Sequence, residues 1–165
     1  MLEEPSLLML PWAPSAAAND ERCVITAAVG RRYLGFARRS NPSFFLPLHW
    51  LFPSPVEVFE TEDESLLLQL RSGWFAGGSR DVLDADSRLV GRLRDDFLLD
   101  QLGEPFAILR REGSGEGSRF VAPDGTELGS VSDGREGTYL TFGPWIHGNP
   151  FAKMMLLAAV LRAKR

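Results

Sequence analysis

Four arginines crowd one short stretch of this chain. Arg31, Arg32, Arg38 and Arg39 flank Tyr33, Leu34 and Phe36, and Arg outnumbers Lys sixteen to two over the whole sequence. A guanidinium is planar and takes a phosphate through two parallel hydrogen bonds, so these four residues are the candidate ligand-binding set for an anionic headgroup. Arg is also the ordinary surface cation of this sequence, and a solvated strand face would look the same. Nucleophilic chemistry has thinner material. Cys23 is the lone cysteine, and the two histidines, His49 and His147, each sit among Pro and Trp. A thiol and an imidazole make a nucleophile only when the second is oriented on the first, and no spacing here provides that. No catalytic residues are assigned.

Carboxylates occur in pairs, at Asp84 and Asp86 and at Asp95 and Asp96. Neither pair continues through a twelve-residue loop ending in Glu, as calcium would require, and Asp in tight turns serves the backbone. No metal site and no cofactor are expected. Glu57, Glu60, Glu62, Asp63 and Glu64 form an acidic stretch without a Lys or Arg. It reads as a solvated hairpin edge, or as a dock for a basic protein partner. The segment 113–118, Gly-Ser-Gly-Glu-Gly-Ser, matches neither a phosphate loop nor a nucleophile elbow and reads as a flexible hairpin loop.

The 165 residues that must position these groups are 44% hydrophobic and 24% charged, with a net charge of −4. That is one globular domain, large enough to bury a core without disulfides or metals. An acidic balance and sparse aromatic interleaving argue against nucleic acid as a partner. Residues 1–20 read as a flexible tail: the apolar run at Leu7–Leu10 follows Glu3 and Glu4 and is broken by Pro11 and Pro14, which a secretory signal would not tolerate. A cytoplasmic protein, peripheral to membrane at most, is expected.

Short apolar or alternating runs, at 23–28, 56–59, 66–70, 106–109 and 139–142, alternate with Gly, Pro and Asp turns, which is the pattern of an all-β barrel or sandwich. One pattern repeats. Residues 83–93 align without gaps to 121–131, each a strand, a turn around Asp86 or Asp124, then a strand with an apolar-Gly pair at Val90-Gly91 or Leu128-Gly129. A looser copy runs 28–36, with Leu34-Gly35. Gly inside a strand marks a bulge or a close approach by other backbone, and a bulge there would reverse which residues face inward.

The chain ends in a helix predicted over Pro150–Lys164, with Asn149 as its cap and Arg162, Lys164 and Arg165 at its negative end. Residues 154–161 are apolar on every side, and a helix with no wet face must be enclosed. At about 1.5 Å per residue it spans about 22 Å, too short to cross a bilayer. In a chain otherwise made of strands, the enclosure must be sheet. The expected architecture is a closed antiparallel β-barrel, over residues 21–165, wrapped around its own C-terminal helix. A filled interior leaves little room for a ligand cavity, so function belongs on the rim or outer face. The segment 44–52, Phe-Phe-Leu-Pro-Leu-His-Trp-Leu-Phe, either plugs one end of the barrel or is an exposed patch for a membrane or partner.

The run 58–64, Val-Phe-Glu-Thr-Glu-Asp-Glu, the two Asp-turn hairpins and the terminal helix after Phe142-Gly143-Pro144 resemble the phospholipid scramblase and LURP-one-related families, which share the tubby-like fold. The resemblance covers about residues 22–165 and implies a barrel around a hydrophobic helix. Scramblases bind calcium in an acidic segment beside that helix, whereas residues 138–148 here contain no carboxylate. Their cysteine-rich stretch is missing too. What the resemblance implies is therefore a non-enzymatic, scramblase-like barrel that binds anionic phospholipid at its outer face. The other expectation is a protein–protein adaptor using segment 44–52 or 57–64.

Overall fold

The computed structural model describes residues 1–15, 20–40, 55–60, 65–72, 78–111 and 117–163. Among these residues thirteen strands are followed by a 3-10 turn, Pro144–Ile146, and one helix, α1 (Pro150–Ala163). The strands are β1 (Ser6–Met9), β2 (Ala13–Pro14), β3 (Asp20–Ala27), β4 (Tyr33–Ser40), β5 (Val56–Glu60), β6 (Ser65–Ser72) and β7 (Arg80–Asp84). They continue as β8 (Leu89–Arg94), β9 (Phe97–Leu99), β10 (Pro105–Arg111), β11 (Gly117–Val121), β12 (Glu127–Asp133) and β13 (Thr138–Phe142). From β3 to β13 each strand pairs antiparallel with the next, and β1 pairs with both β13 and β3. The result is a closed 12-strand antiparallel barrel.

The apolar run read as part of a flexible tail is thus the strand that closes the barrel. Leu7 and Met9 face the core, and Leu7 is fully buried. Pro11 and Pro14 end that strand rather than prevent it, since proline is tolerated at strand ends.

Inside lies α1, whose residues Ala152 to Leu161 are all buried. Asn149 caps it as expected, its Oδ1 accepting the Ala152 amide at 3.0 Å. Arg162 does more than face the helix dipole: it donates to the carbonyls of Asp95 (3.0 Å) and Gly78 (3.2 Å), tying the helix end to the wall. The barrel therefore has an upper end, where α1 begins and the β3–β4, β7–β8, β9–β10 and β11–β12 turns lie, and a lower end, where α1 stops.

The repeated hairpins resolve into one device used three times. The register shifts beside Leu34 on β4, Val90 on β8 and Leu128 on β12, which makes each the extra residue of a bulge. Each joins the core together with its following glycine, so two consecutive residues face inward. At Gly129 an added Cβ would stand 2.7 Å from the Thr141 carbonyl and 2.9 Å from Leu156 of α1. At Gly91 it would meet the Leu99 carbonyl and lie 2.9 Å from Met155. Gly91 and Gly129 let the helix lie against the wall, whereas Gly35 makes room for the Phe59 carbonyl and Met1. The turn aspartates hold the hairpin tips, although in the first copy Asp84 rather than Asp86 does so, accepting from the amides of Asp86 (2.9 Å) and Arg88 (2.8 Å).

Gly129→Ala is expected to destabilise the fold by about 1–3 kcal/mol, the ordinary range for overpacking, whereas Leu157→Ala should cost about 2–5 kcal/mol through the cavity it leaves. Urea unfolding followed by tryptophan fluorescence measures both.

Candidate functional site

The four arginines do not share one face. Arg31 and Arg32 lie in the β3–β4 turn at the upper end, while Arg38 and Arg39 lie near the far end of β4. Side chains alternate along a strand, so Arg38 and Arg39 must diverge. Arg38 lies on the outer wall opposite Arg22 and Glu57, donating to Glu57 Oε2 at 2.7 Å with its guanidinium 4.8 Å from the Phe59 ring centroid. Arg22 stacks likewise on Phe36 at 4.6 Å, and the two rings stack on each other at 5.2 Å. Arg39 turns the other way, over Trp12 at 4.4 Å and 3.2 Å from Glu21, with its side chain only 18% exposed. These two arginines brace the wall.

Arg31 and Arg32 stand differently. Their side chains are 48% and 69% exposed, and they are flanked by Val29, 84% exposed, and the partly exposed Tyr33. Gly30 and Arg31 both adopt positive φ, +76° and +54°, as tight hairpin turns require. Arg32 pairs with Glu4, and Arg31 pairs with Glu136 of the β12–β13 turn, bridging β13, β1 and β3. Of the six large apolar side chains exposed among the described residues, Phe97 lies at the lower end. The other five, which include Leu102, Trp145 and Phe151, ring the upper one.

Among the described residues two solvent-open clefts at opposite ends flank α1, with a third of about 220 Å³ beside Val160 and Ala163, where a filled barrel was expected to leave little room. The lower, about 460 Å³, is lined by Leu10, Trp12, Cys23, Arg135, Thr138 and Leu161 among others. Cys23 donates its thiol to the Leu10 carbonyl at 2.9 Å, and burial pushes its pKa up to about 12 against the weaker pull of Arg39. A protonated thiol is neither a nucleophile nor a good metal ligand. The upper cleft, about 550 Å³, is lined by Leu2, Glu3, Glu60, His147 and Lys153 among others. Lys153 is the single charge within the buried run of α1; it donates to the Leu2 carbonyl at 2.6 Å and lies 5.2 Å from the Phe142 ring centroid. Burial lowers its pKa, with Glu3 acting in the opposite sense.

Cys23 and His147 line clefts at opposite ends, so the structure does not join them. His49, with all of segment 44–52, lies outside the described residues, as do Glu62, Asp63 and Glu64. The described part of the acidic stretch is no hairpin edge: β5 runs between β4 and β6, with Glu57 on Arg38 and Glu60 paired with the Met1 amine. Asp96 sits 3.5 Å from Arg111, and Asp86 3.5 Å from Arg88. Among the described residues, no three His, Cys, Asp or Glu side chains gather as a metal would need, and no helix is long and apolar enough to cross a membrane.

Such an arrangement defines an antiparallel barrel threaded by its own terminal helix, with its exposed cationic turn and apolar tips at one end. No family model matches the chain, and no curated protein matches it. A crystal structure of a protein from Arabidopsis thaliana is similar in fold, with a TM-score of 0.59 over 96% of this chain and 93% of that one, at 11% sequence identity. That likeness concerns architecture alone.

The sequence reading did not single out Arg22, Trp12, Glu4, Glu136 or the position of Lys153. A lysine interrupting an otherwise apolar helix was the one legible signal among them.

Cys23 ties stability to alkaline pH. Above the ordinary thiol value of 9.0 the unfolded chain gives up this proton, while the folded protein keeps it until about 12. Stability should therefore fall as pH rises through that window, by up to about 1.4 kcal/mol per pH unit. Cys23→Ala should remove the loss, as urea titrations between pH 8 and 10.5 would reveal. Lys153, whose pKa is lowered, contributes with the opposite sign below 10.5.

Proposed function

We propose that this is a non-enzymatic, scramblase-like barrel of the tubby-like type that binds anionic phospholipid headgroups with the β3–β4 turn of its outer rim. One observation carries the reading: Arg31 and Arg32 project from the barrel between Val29 and Tyr33, at the end that also exposes Trp145 and Phe151. Cationic side chains interleaved with exposed apolar and aromatic ones suit a headgroup layer, where guanidinium meets phosphate and the apolar tips enter the interface. Aromatic side chains of the Trp and Tyr kind favour that interface because one end is apolar and the other wet. Arg38 and Arg39, assigned to the headgroup from the sequence, are reassigned to holding the wall. With a net charge of −4, the protein has no long-range attraction to an anionic surface, so contact depends on the local turn.

Sedimentation with vesicles of phosphatidylserine in phosphatidylcholine tests this. Binding should appear at low ionic strength and fade with salt. Arg31→Ala and Arg32→Ala should each weaken it about fivefold, matching about 1 kcal/mol per cation near such a surface. Arg38→Ala should leave the affinity in place and lower the melting temperature. Absence of binding by the native protein at low salt would remove the proposal.

The adaptor alternative has no comparable support. Segment 44–52 is not among the described residues, and the two described glutamates of the acidic stretch, Glu57 and Glu60, are already ion-paired.

A further inference from the structure

We infer that Glu4 and Glu136 are built-in counter-anions that compete with phospholipid for Arg32 and Arg31, and so set the surface charge density at which the protein docks. The inference rests on the headgroup-binding reading of the β3–β4 turn and adds its regulation.

Both arginines of that turn are engaged by carboxylates from elsewhere in the chain. Neither carboxylate arrives there on a loose arm. Glu4 is fixed on both sides by backbone bonding to the barrel. The Leu2 carbonyl accepts from Lys153 Nζ (2.6 Å), the Pro5 carbonyl from the Phe142 amide (2.9 Å), and the Ser6 carbonyl from the Ala28 amide (3.1 Å). The last of these bonds joins the Glu4 segment directly to the turn that carries Arg31 and Arg32. Glu136 sits in the β12–β13 turn, which is closed by the Gly134 amide on the Gly137 carbonyl at 2.8 Å, and Gly137 packs so closely on Met9 that a side chain there would collide with it. Two rigid frames thus present a negative charge to each guanidinium.

The pairs are poor candidates for holding the fold together. Arg31 and Glu136 are 48% and 57% exposed, and exposed ion pairs contribute little to stability. Arg31 also occupies a left-handed backbone position, φ +54°, where glycine or asparagine fits with less strain. A strained arginine in a weak surface pair points to a role for the charge itself. Because the pairs are weak, an anionic surface can displace them. Because the carboxylates are held in place, they return when the surface charge falls. A headgroup phosphate must exchange with a carboxylate at each arginine, so a single phosphate gains little and a dense anionic layer gains much.

The experiment uses the full chain and vesicles of phosphatidylcholine carrying graded phosphatidylserine. Wild type should bind only above a threshold phosphatidylserine fraction. Glu4→Gln and Glu136→Gln should each raise affinity about fivefold, and together about 25-fold, while lowering that threshold. Asp81→Asn is the control, since it frees Arg92 on β8, four strands on from β4, with the same change in net charge. It should leave the threshold where it is. Two glutamates on separate elements guard against a variant that fails to fold, and matching tryptophan emission and melting temperatures identify the folded ones. Wild-type binding with no gain in the folded glutamine variants would overturn the counter-anion role and leave headgroup binding standing. An equal gain from Asp81→Asn would overturn it as well, by assigning the effect to net charge. If neither wild type nor variants bind at low salt, both readings fall.

Discussion

The enclosure of α1 governs everything else in this molecule. Ten consecutive helical residues, Ala152 to Leu161, are buried with no wet stripe among them, so the wall must surround the helix on all sides. An open sheet would leave part of that surface in water. Closure falls to β1, four residues long, which pairs with β13 on one side and β3 on the other. The wall must also come close enough for its backbone to touch the helix. Gly91 and Gly129 meet that demand by having no side chain where Met155 and Leu156 approach. The adjacent bulges then turn Val90 and Leu128 inward, filling the space the glycines leave empty.

A core of this kind confines binding chemistry to the ends and the outside. The outside is largely committed to holding itself together. Arg22, Phe36, Phe59 and Arg38 form a layered stack across β3, β4 and β5, with Glu57 neutralising the outermost guanidinium. Arg39 serves the inner side of the same strand over Trp12. Cations used in this way have their charge answered locally and their planes stacked, which leaves little for a ligand to recruit. The turn arginines differ in exposure and in apolar company.

Much of the fold was legible because its signals are local. An apolar run without helical stripe, Asp and Gly at turn spacing, and Asn149 before Pro150 each report on their immediate neighbourhood. The bulge at each apolar-Gly pair was legible as a possibility, and its direction became fixed only by pairing. β1 was read as tail because proline and glutamate around Leu7–Leu10 describe a poor secretory signal, while its strand identity comes from β13, more than a hundred residues away. The candidate site suffered from the same nonlocality. Residues 31–39 look like one basic strand in sequence, yet the turn, the bulge at Leu34 and the alternation of β4 divide them among three environments. Their carboxylate partners, Glu4, Glu21, Glu57 and Glu136, lie on four other segments, and no spacing rule connects them.

Desolvation near α1 acts on two opposite kinds of group with one physical result. At the lower end it holds the Cys23 thiol neutral, and at the upper end it disfavours the charge on Lys153. Each then makes its bond to a main-chain carbonyl, of Leu10 and of Leu2, and each carbonyl belongs to the segment that flanks β1. The strand that closes the barrel is therefore clamped on both sides by partly desolvated side chains. The Leu2 bond of Lys153 also anchors the segment that carries Glu4, so the closing strand and the ion pair to Arg32 share one support.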